Sequence, residues 1–104
     1  MSRSYVVSSD AAADIREITK YSLAQWGREK CRSYIADLEK CTDAVARGVG
    51  VYKDMSALYP DLRMIKCQHH YVFCLYRQDA PTLVVAILHE RMDIMARLES
   101  RLTL

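Results

Sequence analysis

The stretch "VVAILHERMD", Val84 to Asp93, carries an aliphatic run straight into a histidine, two acids and a base. An imidazole titrates near pH ~6.5, so His89 has the chemistry of a general acid or base near neutrality. The competing reading is structural: a ring at a strand end, bonded to a backbone carbonyl or to Asp93. That reading is favoured, because no arginine accompanies His89 on its strand.

A second cluster, "CQHH" from Cys67 to His70 with Cys74 beyond it, offers the thiols and imidazoles that zinc takes. One Cys-x-His without a second matching pair is a weak signal, and neither a metal nor a cofactor is expected. With only three glycines there is no phosphate-cradling loop, and no serine has a nucleophile context. The four cysteines, Cys31, Cys41, Cys67 and Cys74, lack a secretory signal and a tight framework, so reduced, buried thiols are expected. Cys31 and Cys41 would lie ~15 Å apart along one helix, too far to pair.

These residues need a scaffold. A chain of 104 residues, 51% of them apolar, suits one domain spanning 1–104. A net charge of +2 is too balanced for a nucleic-acid binder, whose basic surplus must offset several phosphates. No stretch approaches the ~20 apolar residues of a membrane span, so the expectation is a soluble, cytoplasmic protein.

"SYVV", Ser4 to Val7, reads as a short strand, and "SSD" after it can cap a helix. Ile15, Ile18, Ser22 and Trp26 then recur at helical spacing until Gly27. Cys31, Tyr34, Ile35, Leu38, Cys41, Thr42 and Val45 mark a second helix, ended by Gly48 and Gly50. With so short a connection the two helices must form an antiparallel hairpin. Its charges, including Arg16, Lys20, Arg28, Lys30 and Arg32, read as a solvated face.

"LRMIKC" (Leu62 to Cys67), "YVFCLYR" (Tyr71 to Arg77) and "TLVVAILH" (Thr82 to His89) predict an antiparallel meander. In the last run Leu83, Val85 and Ile87 alternate with Val84, Ala86 and Leu88, all apolar, which places it at the sheet centre with both faces buried. The first strand should pair with an edge of the meander. Val51 to Asp61 reads as a connection whose Met55, Leu58 and Tyr59 pack on the core, and Asp93 to Leu102 as a final helix. The fold class is therefore α+β: an N-terminal strand, a helical hairpin packed on a mainly antiparallel three- to four-stranded sheet, and a short C-terminal helix.

This order, with "LRMIK", the strand ending in Tyr76, "ILH-x-x-MD" at Ile87, Leu88, His89, Met92 and Asp93, and "WG" at Trp26 and Gly27, resembles the ParE branch of the RelE/ParE toxin superfamily over nearly the whole chain. The resemblance implies the toxin of a type II toxin-antitoxin pair, with a cognate antitoxin as partner and DNA gyrase as target. Nucleic acid would be met only through gyrase or the antitoxin. Target contacts would come from Arg77, His89, Arg91, Met92, Asp93, Arg97 and Arg101. The antitoxin, often disordered alone, would cover an apolar groove with Ile94, Met95, Leu98 and Leu102.

RelE-like relatives instead cut messenger RNA in the ribosome, using strand cations to stabilise the phosphate and a proton-transfer group near the C-terminus. Here Phe73 stands at the expected arginine and Met64 at one of the basic pair, leaving Lys66. Ala86 replaces the arginine that commonly precedes "ILH" in the ParE branch. No catalytic residue is therefore expected; a nuclease would have to gather Arg63, Lys66, Arg77 and His89. A toxin remnant kept as a partner-binding module is the third reading.

Overall fold

The computed structural model describes residues 4–102, which form β1 (Tyr5–Val7), α1 (Ser9–Trp26), α2 (Arg28–Arg47), β2 (Lys53–Asp54), β3 (Leu62–Cys67), β4 (His70–Leu75), β5 (Thr82–His89) and α3 (Ile94–Leu102). The Ser8 hydroxyl caps α1 by accepting the Ala11 N–H at 3.0 Å. Gly27 serves two helices at once: its N–H donates to the Leu23 carbonyl and its own carbonyl accepts from the Cys31 N–H. At φ 84° and ψ 177° it holds a backbone shape essentially reserved for glycine.

The sheet runs β1-β5-β4-β3-β2, with β1 parallel to β5 and every other pair antiparallel. β5 is an interior strand as expected, although β4 is the geometric middle. β2 adds a fifth strand from within the predicted connection. Two residues are too few for an alternation pattern to reveal.

The two faces bury two cores. The helical hairpin covers one, where Ala11, Ile18, Tyr34, Leu38 and Val45 meet Val72, Val84 and Ile87. α3 and the β2–β3 connection cover the other, where Leu98 and Leu102 meet Leu62, Phe73, Val85, Ala86 and Leu88, with Met55, Leu58 and Tyr59 packed against them.

The strict alternation expected in β5 fails at one point. Phe73 pairs with Ala86 and Cys74 with Val84, leaving Val85 as the extra residue of a β-bulge. Val85 and Ala86 therefore share the α3 face, and Val84 and Ile87 share the hairpin face. Apolar residues on both faces hide such a slip in the sequence, because either parity buries a greasy side chain. Its consequence lies downstream: from Ile87 onward each side chain points opposite to the expected way, and His89 comes to pair with His70.

The expectation of four thiols needs correction. Cys41 and Cys67 form a disulfide, their Cα atoms 6.2 Å apart, while Cys31 and Cys74 are free and buried. The crossing of α2 over β3 makes this pair, and spacing along a single helix gives no sign of it. Among the described residues no helix is long and apolar enough to cross a membrane.

Candidate functional site

The β3–β4 turn, the end of β5 and the hairpin converge on a histidine corner. Gln68 takes a left-handed φ of 55° to make the turn, and its side-chain amide donates to Asp37 of α2 at 2.7 Å. His69 completes the turn, its carbonyl accepting the Glu90 N–H at 2.8 Å, and His70 opens β4 opposite His89. Tyr34 reaches over from α2, its hydroxyl accepting the His69 N–H at 3.3 Å and hydrogen-bonded to His70 Nδ1 at 2.5 Å.

The rings form a connected set. His70 meets Tyr34 and His89 edge to face at centroid distances of 5.5 and 5.1 Å, and His69 stacks on His89 at 6.4 Å. Burial, followed by repulsion from His89 and His69, pushes His70 down to about 4, so its ring is neutral at physiological pH. Burial likewise raises the Tyr34 phenol, against the lowering effect of the His69 backbone bond.

Glu90 behaves oppositely: hydrogen bonds from His69 Nδ1 at 2.8 Å and Lys66 Nζ at 3.1 Å lower its carboxyl to about 2. The corner borders a cleft of about 640 Å³ whose far wall is the aromatic end of the hairpin, Tyr21 and Trp26, with Met92 at its rim. Among the described residues no three His, Cys, Asp or Glu side chains are placed to hold a metal ion.

The expected bond from His89 to a carbonyl or to Asp93 is not formed. The His89 Nδ1 accepts the Arg91 N–H at 3.1 Å, which leaves Nε2 as the ring nitrogen open to other partners. Asp93 instead accepts the Ala96 N–H at 3.3 Å, capping α3.

The cations of the hypothetical nuclease set do not converge. Arg63 Nη1 donates to the carbonyls of Val45 and Ala46 at the end of α2, its guanidinium lying between the rings of Tyr52 and Tyr76. Lys66 leaves the opposite face of β3, toward Glu90. Arg77 lies beyond the end of β4, not on it, and bonds the Pro81 carbonyl through Nε at 2.7 Å and also through Nη2. Phe73 is completely buried.

Two groups of predicted contact residues are engaged within the fold itself. Arg101 is held internally: Nη2 and Nη1 clasp both Asp14 oxygens at 2.7 and 2.9 Å, and Nη1 also donates to the Val85 carbonyl at 2.9 Å. Leu98 and Leu102 are core residues of the α3 face, because α3 needs that stripe to cover the sheet. What faces solvent is Arg91, Met92, Asp93, Met95 and Arg97, with Ile94 half-buried.

Sequence reasoning missed Tyr34 as a partner of the histidines and Asp14 as a partner of the bulge. Tyr34 had the signature of a core position, and Asp14 that of a helix-dipole charge; only the tertiary contact distinguishes their roles.

Comparisons agree with this architecture. Residues 5–94 match the model of one protein family, "ParE toxin of type II toxin-antitoxin system, parDE". The chain is 54% identical to Toxin ParE of Escherichia coli over 98 residues, covering 94% of this chain and 95% of that protein. It is 27% identical to Toxin ParE1 of Mycobacterium tuberculosis over 94 residues, 90% of this chain and 96% of that one. A chain solved in "Chromosomal ParDE TA system from P. aeruginosa" superposes with a TM-score of 0.62 at 17% identity, covering 84% of this chain and 95% of that one; at this identity the likeness is one of fold.

Proposed function

Because the chain belongs to the ParE toxin family of type II toxin-antitoxin systems, we propose that it stops growth by binding DNA gyrase, without cutting nucleic acid itself, until a cognate antitoxin neutralises it. The observation that carries this reading is the employment of its cations. Arg63 is occupied in capping α2, Lys66 in holding Glu90, Arg77 in closing a turn and Arg101 in clasping Asp14. None of these four stands free around a common point where a scissile phosphate could lie, and His70, held neutral by burial, offers no substitute charge.

A binding role uses the same surface well. Arg91 and Met92, the latter 42% exposed, project beside the aromatic cleft from the end of a rigid interior strand. Rigid elements presenting a few apolar and charged anchors are what a tight interface needs. The antitoxin would cover the neighbouring exposed Met95 of α3 together with the half-buried Ile94. Target and antitoxin would both be met in the cytoplasm.

The test is a pair of assays with purified protein. Loss of supercoiling with trapped, cleaved DNA in a gyrase reaction is the expected result. Cut message from translating ribosomes would overturn it in favour of nuclease chemistry, and silence in both assays would leave a partner-binding remnant.

A further inference from the structure

We propose that Cys41 and Cys67 form a reversible thiol–disulfide site whose redox state controls how firmly the β3–β4 turn, and with it the histidine corner, is held against α2. The geometry is specific. Cys67 is the last residue of β3 and is followed directly by Gln68, His69 and His70, so the bridge clamps α2 immediately beside the turn. The other ties between turn and hairpin are non-covalent: Gln68 to Asp37 at the surface, and Tyr34 to His69 and His70. Exposed contacts of the first kind hold weakly, so the covalent tie dominates the restraint.

Accessibility separates Cys41 from the other cysteines. Cys31 and Cys74 are buried, and burial pushes the Cys74 thiol up to about 11, far from thiolate chemistry at neutral pH. Cys41 is half-buried while Cys67 is buried, so Cys41 is the half of the bridge that a small thiol would reach first. A glutathione thiolate can therefore attack Sγ of Cys41, forming a mixed disulfide there and releasing Cys67 as a thiolate that takes a proton from water. A second glutathione thiolate attacks the glutathione sulfur of that mixed disulfide, leaving two cysteine thiols and one glutathione disulfide. Run backwards, glutathione disulfide is the oxidant. A bridge outside an oxidising compartment is characteristically of this transient, sensing kind.

The proposal rests on the gyrase reading only for its last step, the effect on inhibition. The full chain is equilibrated in graded ratios of reduced to oxidised glutathione, with the thiols trapped by a maleimide and amide exchange of the turn measured in each state. The expected result is reversible formation of the bridge, and exchange of the His69 and His70 amides about tenfold faster or more in the reduced form, as loss of a local restraint implies. Cys41→Ser should exchange at the fast rate in either buffer. Equal exchange in the two wild-type states overturns the proposal, and so does absence of the bridge at every ratio; neither outcome depends on the variant folding.

Gyrase inhibition is then compared between the two states. A difference extends the control to the toxin's action. Equal, measurable inhibition overturns that extension. Inhibition by neither state, with the exchange contrast intact, overturns the gyrase reading and supports the switch.

Discussion

Asp14 and Arg101, 87 positions apart in the chain, close a two-point ion pair whose outer edges also bind the backbone beside the β5 bulge. Asp14 Oδ2 accepts the Ile87 N–H at 2.9 Å and Arg101 Nη1 donates to the Val85 carbonyl at 2.9 Å. Both backbone groups flank the point where the ladder slips, so one pair of side chains supplies their partners and ties α1, β5 and α3 together. A bulge that re-aims His89 is thereby kept satisfied rather than left with buried, unpaired polar groups.

Removing one partner should therefore cost far more than an ordinary surface charge. Both side chains are largely shielded, at 19% and 15% exposure. Arg101→Met leaves the Asp14 carboxylate and the Val85 carbonyl without their donor, and a loss of about 3 kcal/mol is expected in urea denaturation. Arg101→Lys keeps the charge but not the fork and should recover only part of it. A loss under ~0.5 kcal/mol, the usual surface value, would show that the pair is not structural.

The same bulge marks the boundary of what was legible. The hairpin, the meander and α3 follow from spacing, because each needs one buried stripe and the pattern records it. The bulge leaves no mark, since Val84 to Leu88 are apolar whichever way they point. His89 was visible as a titratable residue at a strand end, but its neighbours Tyr34 and His70 come from elements 36 positions apart that only packing joins. Arg101 shows the converse: its residue type suggested recognition, and its surroundings employ it within the fold.

Stability should fall with acid in two separable windows. His70 is held near 4 in the folded protein against 6.5 ordinarily, so between these values the unfolded chain binds a proton that the folded chain does not. Stability is full above pH 6.5 and declines as pH drops toward 4. Glu90, lowered from 4.5 to about 2, adds stability present above pH 4.5 and lost as pH falls toward 2. Melting temperatures measured from pH 2 to 8 should show His70→Gln flattening the upper window and Glu90→Gln the lower one. Unchanged profiles in both variants would disprove the assignment.

The two helix-ending glycines should respond differently to substitution. Gly27 at φ 84° and ψ 177° occupies a region essentially closed to side chains, although nothing lies within 4 Å of an added Cβ. Gly48, at φ 70° and ψ 28°, is in the left-handed region that asparagine tolerates, but an added Cβ would meet Arg63 Nη1 at 3.3 Å. Gly27→Ala is expected to cost about 2–3 kcal/mol from backbone strain alone, and Gly48→Asn about 1 kcal/mol, since the Arg63 side chain can yield. The order of the two, read from denaturant midpoints, is the checkable statement; the reverse order would mean that packing rather than backbone strain governs these positions.

Function should separate from stability at the exposed end of β5. Arg91 and Met92 face solvent beside the cleft, so Arg91→Glu and Met92→Ala remove recognition chemistry while leaving the core untouched. If the corner is the gyrase-binding surface, each should raise the protein concentration needed for half-inhibition of supercoiling about tenfold or more, the size of effect that truncating an interface anchor produces. Melting temperatures should stay within about 2 °C of the parent, as for surface substitutions elsewhere. Arg63→Ala supplies the contrast, because it uncaps α2 and unstacks Tyr52 and Tyr76, lowering stability first and inhibition only through loss of folded protein. Parental potency in both corner variants would move the search for the target surface to the exposed residues of α3, where Met95 and Arg97 are the next to change.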